Sequence, residues 1–193
     1  TARRPAPVST YWETGAYAVD LIWRALFPAL PDRLSAGHHL SVCGTIISGQ
    51  DADGKTFIMV EPQAGGWGAT AQRDGTSAMV PVGDGETYVM PVEVCEGRYP
   101  LLVERYEFNT TPAGAGKHRG GFGLVREYRV LCESASLTTT FGRHRYPPWG
   151  DASGSEGSPN GVAVIKKGTS EPAIWRGKLA RYPLLRGDVV RLV

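Results

Sequence analysis

The densest chemistry in this 193-residue chain lies between Pro91 and Arg129. Lys117, His118 and Arg119 sit together inside a run punctuated by Gly114, Gly116, Gly120 and Gly121. Glycine lets backbone N–H groups approach an anion closely, and the three basic side chains add charge, so the segment suits a phosphate or carboxylate. It suits a solvated loop equally well. Just upstream, Glu93 and Glu96 follow Pro91; on a helical turn they share a face and form a candidate acid and base pair, with a surface turn as the plainer reading. A second glycine-rich stretch, Gly65, Gly66, Trp67 and Gly68, reads as a site-forming loop rather than a strand.

Several familiar chemistries are excluded by spacing. A phosphate loop needs a glycine where Thr111 stands and a hydroxyl where His118 follows Lys117, and the segment leads into a strand-like run, not a helix. His38 and His39 are adjacent, so in a strand they point to opposite faces and do not chelate one metal. No nucleophile elbow is present, and no serine, histidine and aspartate define a triad. Hence no metal site is assigned to this chain.

These residues need elements to position them. Tyr99 to Phe108 and Phe122 to Cys132 read as two strands of a hairpin whose long connection is the basic glycine loop. On the second strand Phe122, Leu124, Tyr128, Val130 and Cys132 share a face, with Arg126 as an intruder among them. Val19, Ile22, Trp23, Leu26, Phe27 and Leu30 recur at helical steps, with Thr14 as a cap, an Asp20–Arg24 pair opposite, Pro28 weakening the last turn and Pro31 ending the helix. A β-rich run from Ser35 through Ser48 turns at Asp53-Gly54 into Thr56 to Glu61, a second hairpin. Asp74-Gly75 opens a loop reaching Glu86. Ser136 to Phe141, Val162 to Lys166 and Val189 to Val193 read as further short strands.

Composition supports that outline. With 25 glycines and 14 prolines spread along the chain, turns and short strands are favoured over a helical bundle. The expected fold class is α+β: predominantly antiparallel β, sandwich-like or barrel-like, with one amphipathic helix near the N-terminus, in a single domain over residues 1–193. A net charge of +2 argues for neither nucleic acid nor an anionic membrane, and no apolar run reaches a membrane span. Three cysteines form no disulfide framework or metal knuckle, which points to the cytoplasm. The opening, Thr1 to Thr10, reads as an extended linker.

Taken in order, Ala64 to Ala69, Asp74-Gly75, Pro91 to Glu96, Gly114 to Gly121, Val125 to Arg129 and Pro147 to Gly150 resemble the hydantoinase B / oxoprolinase family. The resemblance covers most of this chain and corresponds to the C-terminal portion of a longer family subunit. It implies an ATP-dependent hydrolase of cyclic amides such as hydantoins or 5-oxoproline, or a carboxylase of ketones such as acetone and acetophenone. It further implies ATP and Mg on a hydantoinase A-like partner, a chain carrying the N-terminal half of hydantoinase B, and any metal ion outside this chain. On that reading His118, Arg119, Glu93 and Glu96 are the catalytic candidates. Gly65, Gly66, Trp67, Gly68 and Lys117 shape the substrate site, with Trp67, Trp149 and Tyr128 as candidate aromatic walls. This polypeptide alone is expected to be inactive, and a purely structural assembly domain is the alternative.

Overall fold

The computed structural model describes residues 13–85, 87–111, 114–151 and 153–193. The linker expected over the first ten residues lies outside them. Two helices and nine strands are described. They are α1 (Glu13–Leu26), β1 (Thr45–Gln50), β2 (Thr56–Glu61), α2 (Val92–Arg98), β3 (Leu101–Asn109), β4 (Gly123–Val130), β5 (Ser134–Thr140), β6 (Val162–Ile165), β7 (Pro172–Arg176), β8 (Lys178–Leu185) and β9 (Val189–Leu192). The strands form two antiparallel sheets, ordered β2-β1-β5-β8 and β3-β4-β9-β6-β7, neither closed into a barrel. The α+β, mostly β expectation holds.

Both expected hairpins form. In β1 and β2 Thr45 faces Glu61 and Gln50 faces Thr56, and the turn closes with Gly54 at φ +76 while the Asp51 carboxylate accepts the backbone N–H groups of Asp53 and Lys55. In β3 and β4 Leu101 faces Val130 and Asn109 faces Gly123, which throws the long basic loop out at one end. The sheets share one core. Ile47, Met59, Leu137 and Leu184 come from the first sheet, and Tyr128, Val130, Val164, Val190 and Leu192 from the second; Cys95 on α2 joins them.

Strands β7 and β8 were not anticipated. Pro172 starts one and Pro183 interrupts the other, and both strands are sheet edges, where a missing N–H leaves no ladder bond unmade. The run from Ser35 pairs as a strand only from Thr45. Before that, Leu40 and Cys43 adopt positive φ, and the backbone groups of Ala36, Gly37 and His39 bond to other loops.

Helix α1 forms where the periodicity puts it but packs on another face. Val19 and Ile22 are 55% and 61% exposed, and Leu26 and Leu30 are exposed too. Trp23 and Phe27 are half-buried, and the one buried residue of the helix is Asp20. Its carboxylate does not pair with Arg24: it accepts hydrogen bonds from Arg143 Nη2 at 2.7 Å and Trp149 Nε1 at 3.1 Å. Two charge-assisted bonds away from water outweigh an exposed i,i+4 pair, which is worth only a few tenths of a kcal/mol (~0.3–0.5). Thr14 lies inside the helix and so is not its cap. The α-helix ends at Leu26 and passes into a tight turn over Phe27–Ala29 containing Pro28.

Arg126, the intruder on β4, is fully buried. Its Nη1 is 3.0 Å from Glu61 Oε1, its Nη2 donates to the Met90 carbonyl at 3.0 Å, and the Met90 N–H donates to the same Glu61 oxygen at 2.8 Å. The guanidinium also lies 4.7 Å from the Tyr106 ring centroid and 5.0 Å from that of Tyr128. One ion pair thus joins the last residue of β2, in one sheet, to the middle of β4, in the other, and holds the chain entering α2. Glu61→Gln strands a buried guanidinium without its counter-charge and should cost about 3–5 kcal/mol in chemical denaturation, whereas the double change Glu61→Leu with Arg126→Met should recover most of that loss.

Candidate functional site

Irregular segments meet near the end of the β3–β4 hairpin: residues 36–43, 64–71, 74–79, 114–122, 148–151 and 153–160. Each satisfies its backbone groups on another. Ala36 N–H donates to the Ala69 carbonyl at 2.8 Å, Gly37 N–H to Trp149 at 2.9 Å, His39 N–H to Gly66 at 3.1 Å and Trp67 N–H to Thr76 at 2.9 Å. Gly121 N–H in turn donates to Trp67 at 2.8 Å, Gly75 N–H to Arg119 at 2.7 Å and Ser155 N–H to Ala115 at 2.8 Å. Buried amides without a ladder must find partners, and here they find them between loops. The approach is so close that a Cβ on Gly66 would overlap the Gly121 carbonyl and one on Gly68 the Ala36 carbonyl.

The segments enclose a cavity of about 270 Å³. Gly65, Gly66, Trp67, Gly68, Lys117 and His118 all line it, so sequence distance between the two glycine-rich stretches vanishes in the fold. Phe27, Trp149 and Pro148 supply apolar wall, and Gln63, Asn109 and Asn160 polar wall. Arg119 does not line it. Its guanidinium lies 3.9 Å from the Phe122 ring centroid, donates to the Gly120 carbonyl and stands 3.7 Å from Asp74 Oδ2. Asp74 also accepts the Arg119 backbone N–H at 2.9 Å and lies 3.5 Å from His118 Nδ1. That backbone bond, chiefly, keeps the Asp74 carboxyl below its ordinary range. Much of the loop's positive charge is therefore answered internally, and among the described residues Lys117 makes no ion pair.

Glu93 and Glu96 do share an exposed stretch of α2, but that helix packs against the core through Cys95, and neither carboxylate is among the cavity's lining residues. Glu96 Oε1 accepts the Val103 N–H instead. Tyr128 is buried in the core and is likewise absent from the lining. Asp151 does line the cavity, yet its Oδ1 accepts the N–H groups of Ser153 and Gly154, which holds its turn and lowers its pKa.

The histidine pair, whose divergence rules it out as a chelate, sits at the centre of this arrangement. His38 Nδ1 accepts the Gly68 N–H at 3.1 Å, so the ring proton is on Nε2 and reaches Ser35 Oγ at 3.1 Å. Its ring stands edge-on to Trp23 and Trp67, and Arg143 Nε donates to its carbonyl. His39 Nδ1 lies 3.3 Å from the Gly66 carbonyl. Each thus grips one glycine of the Gly65 to Gly68 loop. Burial depresses both imidazoles from 6.5 to about 4, so both are neutral at pH 7. Nearby Cys43 is pushed up to about 12 by burial, a protonated thiol rather than a nucleophile. No group of three or more histidine, cysteine, aspartate or glutamate side chains poised for a metal occurs among the described residues.

The profile of the Hydantoinase B/oxoprolinase family matches residues 1–193. The chain belongs to the hydantoinase B/oxoprolinase family. A protein from Pseudomonas sp. (strain NS671), named as the B component of a D-/L-hydantoinase, is 30% identical over 190 residues, which are 98% of this chain and 31% of that protein. The crystal structure of the ATP-dependent caprolactamase from Pseudomonas jessenii superposes with a TM-score of 0.83 at 23% identity, over 100% of this chain and 34% of that one. An acetone carboxylase in its nucleotide-free form superposes at 0.73 and 16% identity, over 94% and 29%. These two likenesses show a shared fold. The chain spans about a third of the length of the relatives it matches. No helix among the described residues is long and apolar enough to cross a membrane.

Two outcomes follow from this geometry. Gly66→Ala forces a Cβ against the Gly121 carbonyl and should lower stability by at least about 1–3 kcal/mol, while Gly97→Ala on the open face of α2 should be neutral or slightly stabilising; thermal unfolding of both variants checks it. The histidines set a pH window as well. Unfolded, each takes its proton near pH 6.5; folded, near pH 4. Between those values the unfolded chain binds more protons, so stability is lost as pH falls through the window, at about 1.4 kcal/mol per unit for each histidine. Denaturation midpoints recorded from pH 7 down to pH 4.5 should show that slope.

Proposed function

We propose that this chain shapes the substrate cavity of an ATP-dependent enzyme that opens cyclic amides, without itself binding the nucleotide. The observation that supports this most directly is the cavity's character. It is small and walled mainly by backbone and uncharged side chains, the exposed Lys117 lines it without an ion-pair partner among the described residues, and its buried thiol and imidazole are uncharged at neutral pH. Such a site orients a small polar molecule and meets developing negative charge, but supplies no activated nucleophile. ATP and Mg then belong to a hydantoinase A-like partner, and any metal to a part of the enzyme outside this chain, in keeping with a chain that spans a third of its relatives. The names of the hydantoinase and caprolactamase relatives favour amide hydrolysis on this reading.

A ketone carboxylase is the second reading, favoured by the aromatic wall of Trp67, Trp149 and Phe27. An assembly domain is the third, and the exposed stripe of Val19, Ile22, Leu26 and Leu30 on α1 speaks for it. Lys117→Ala separates them. Under the cavity reading, the complete enzyme carrying this change loses about tenfold or more in kcat/KM for its cyclic amide, with unfolding and assembly unaltered. Unchanged turnover accompanied by weaker assembly would favour the structural reading.

A further inference from the structure

We propose that a second hollow of this fold, a basic cleft apart from the cavity, docks an extended acidic segment of a partner protein. The cleft is open, about 400 Å³ in volume, and lined from α1, from the chain that follows β5 and from the passage between β7 and β8. Tyr17 and the buried Phe141 give it apolar surface, and the exposed Arg145, Tyr146, Arg176 and Lys178 line it as well. No carboxylate is among its lining residues. Glu13 comes up against Gly142, but its Oε1 is buried and so does not answer the charge of the cleft. Arg143 is paired with Asp20. Among the described residues Arg145, Arg176 and Lys178 make no ion pair, whereas Arg105, Arg129, Arg186 and Arg191 on the strands and their turns each hold a glutamate.

The spacing of the cations selects the partner. Arg176 and Lys178 lie on either side of Gly177, where the chain leaves the edge of one sheet for the edge of the other. The Gly177 carbonyl accepts the Phe141 N–H at 3.0 Å and the Thr139 hydroxyl at 3.1 Å, and a Cβ on Gly177 would meet His144 Cβ. His144 is itself tied by Nδ1 to the Asn160 carbonyl at 2.9 Å. The two cations therefore project from fixed chain. Two residues of extended chain span roughly 6–7 Å, so the pair repeats at the interval at which an extended partner presents alternate side chains. A small anion gathers cations around a point; these are strung along a line. Arg176 gives Nη1 to the Trp175 carbonyl at 2.9 Å, which leaves Nη2 and Nε for an incoming carboxylate. On the facing loop the Arg145 guanidinium lies 5.6 Å from the Tyr146 ring centroid, and Tyr146 is 71% exposed. Arginine and tyrosine over an apolar floor are what protein interfaces enrich. Three like charges held together around one cleft repel, and an acidic segment relieves them.

The test is fluorescence anisotropy of the full chain with a dye-labelled peptide of alternating glutamate and serine, against the same peptide carrying glutamine for glutamate. The glutamate peptide should bind saturably and at least about tenfold more tightly than its glutamine twin. The triple variant Arg145→Gln, Arg176→Gln, Lys178→Gln should lose about tenfold of that affinity with its unfolding midpoint unchanged, since all three side chains are exposed. A second triple variant, Arg33→Gln, Lys55→Gln, Arg98→Gln, removes the same charge from exposed positions outside the cleft and should bind within about twofold of the wild type. Affinity untouched by the cleft substitutions, or lowered equally by both sets, overturns the assignment. So does the absence of saturable binding by the wild-type chain. Displacement of the peptide by inorganic phosphate, measured against chloride at equal ionic strength, overturns the extended segment in favour of a small-anion site, and neither of these last two measurements needs a variant to fold.

Discussion

A site made of irregular segments must answer a demand that strands and helices meet automatically: every buried N–H and C=O needs a partner. Here the segments at 36–43, 64–71, 74–79, 114–122, 148–151 and 153–160 answer it on one another, Gly66 and Trp67 bonding outward to His39, Thr76 and Gly121. Backbone can meet backbone at that distance only where side chains are absent, which is why Gly66 and Gly68 carry none. The cavity is the space these pairings leave. Its shape is therefore a property of chain geometry, and side chains only furnish it.

Buried polar interactions help to fix this assembly. The buried carboxylate of Asp20 takes Arg143 and Trp149 together, and Arg143 reaches on to the His38 carbonyl, so α1, the chain after β5 and the histidine pair form one connected unit. On the other side Glu61 and Arg126 tie the two sheets and Met90. Buried ion pairs cost desolvation and add little net stability against a well-packed apolar alternative, but each demands one geometry. An apolar contact would tolerate α1 rotating by a residue or two; Asp20 does not. This explains how the helix can leave Val19 and Ile22 in water and still be placed uniquely.

Much of this was legible in the sequence, and the failures have a common cause. The hairpins could be read because alternation and turn residues such as Asp53-Gly54 act over a few positions. The convergence of Gly65 to Gly68 with Lys117 and His118 was legible only through resemblance to a family, since nothing local brings them together. The face of α1 is misread from periodicity because Asp20 looks like a surface residue until Arg143, far along the chain, is placed against it. Edge strands β7 and β8 hide behind their prolines. From sequence, His38 and His39 are weighed only as a possible chelate in a strand; the chain there is irregular, and one ring grips Gly68 while the other grips Gly66.

The electrostatics of the cavity run against the expectation raised by its basic loop. Lys117, His118 and Arg119 in sequence suggest three cations facing one ligand, but Asp74 sits beside two of them, and the guanidinium of Arg119 lies over Phe122. Deeper in, burial removes charge rather than concentrating it, leaving two neutral imidazoles and a protonated thiol. Around the buried, neutral groups of the lining, each hydrogen bond formed is strengthened and each one left unmade is penalised. Discrimination there falls to donors and acceptors as well as to the cations that first draw the eye.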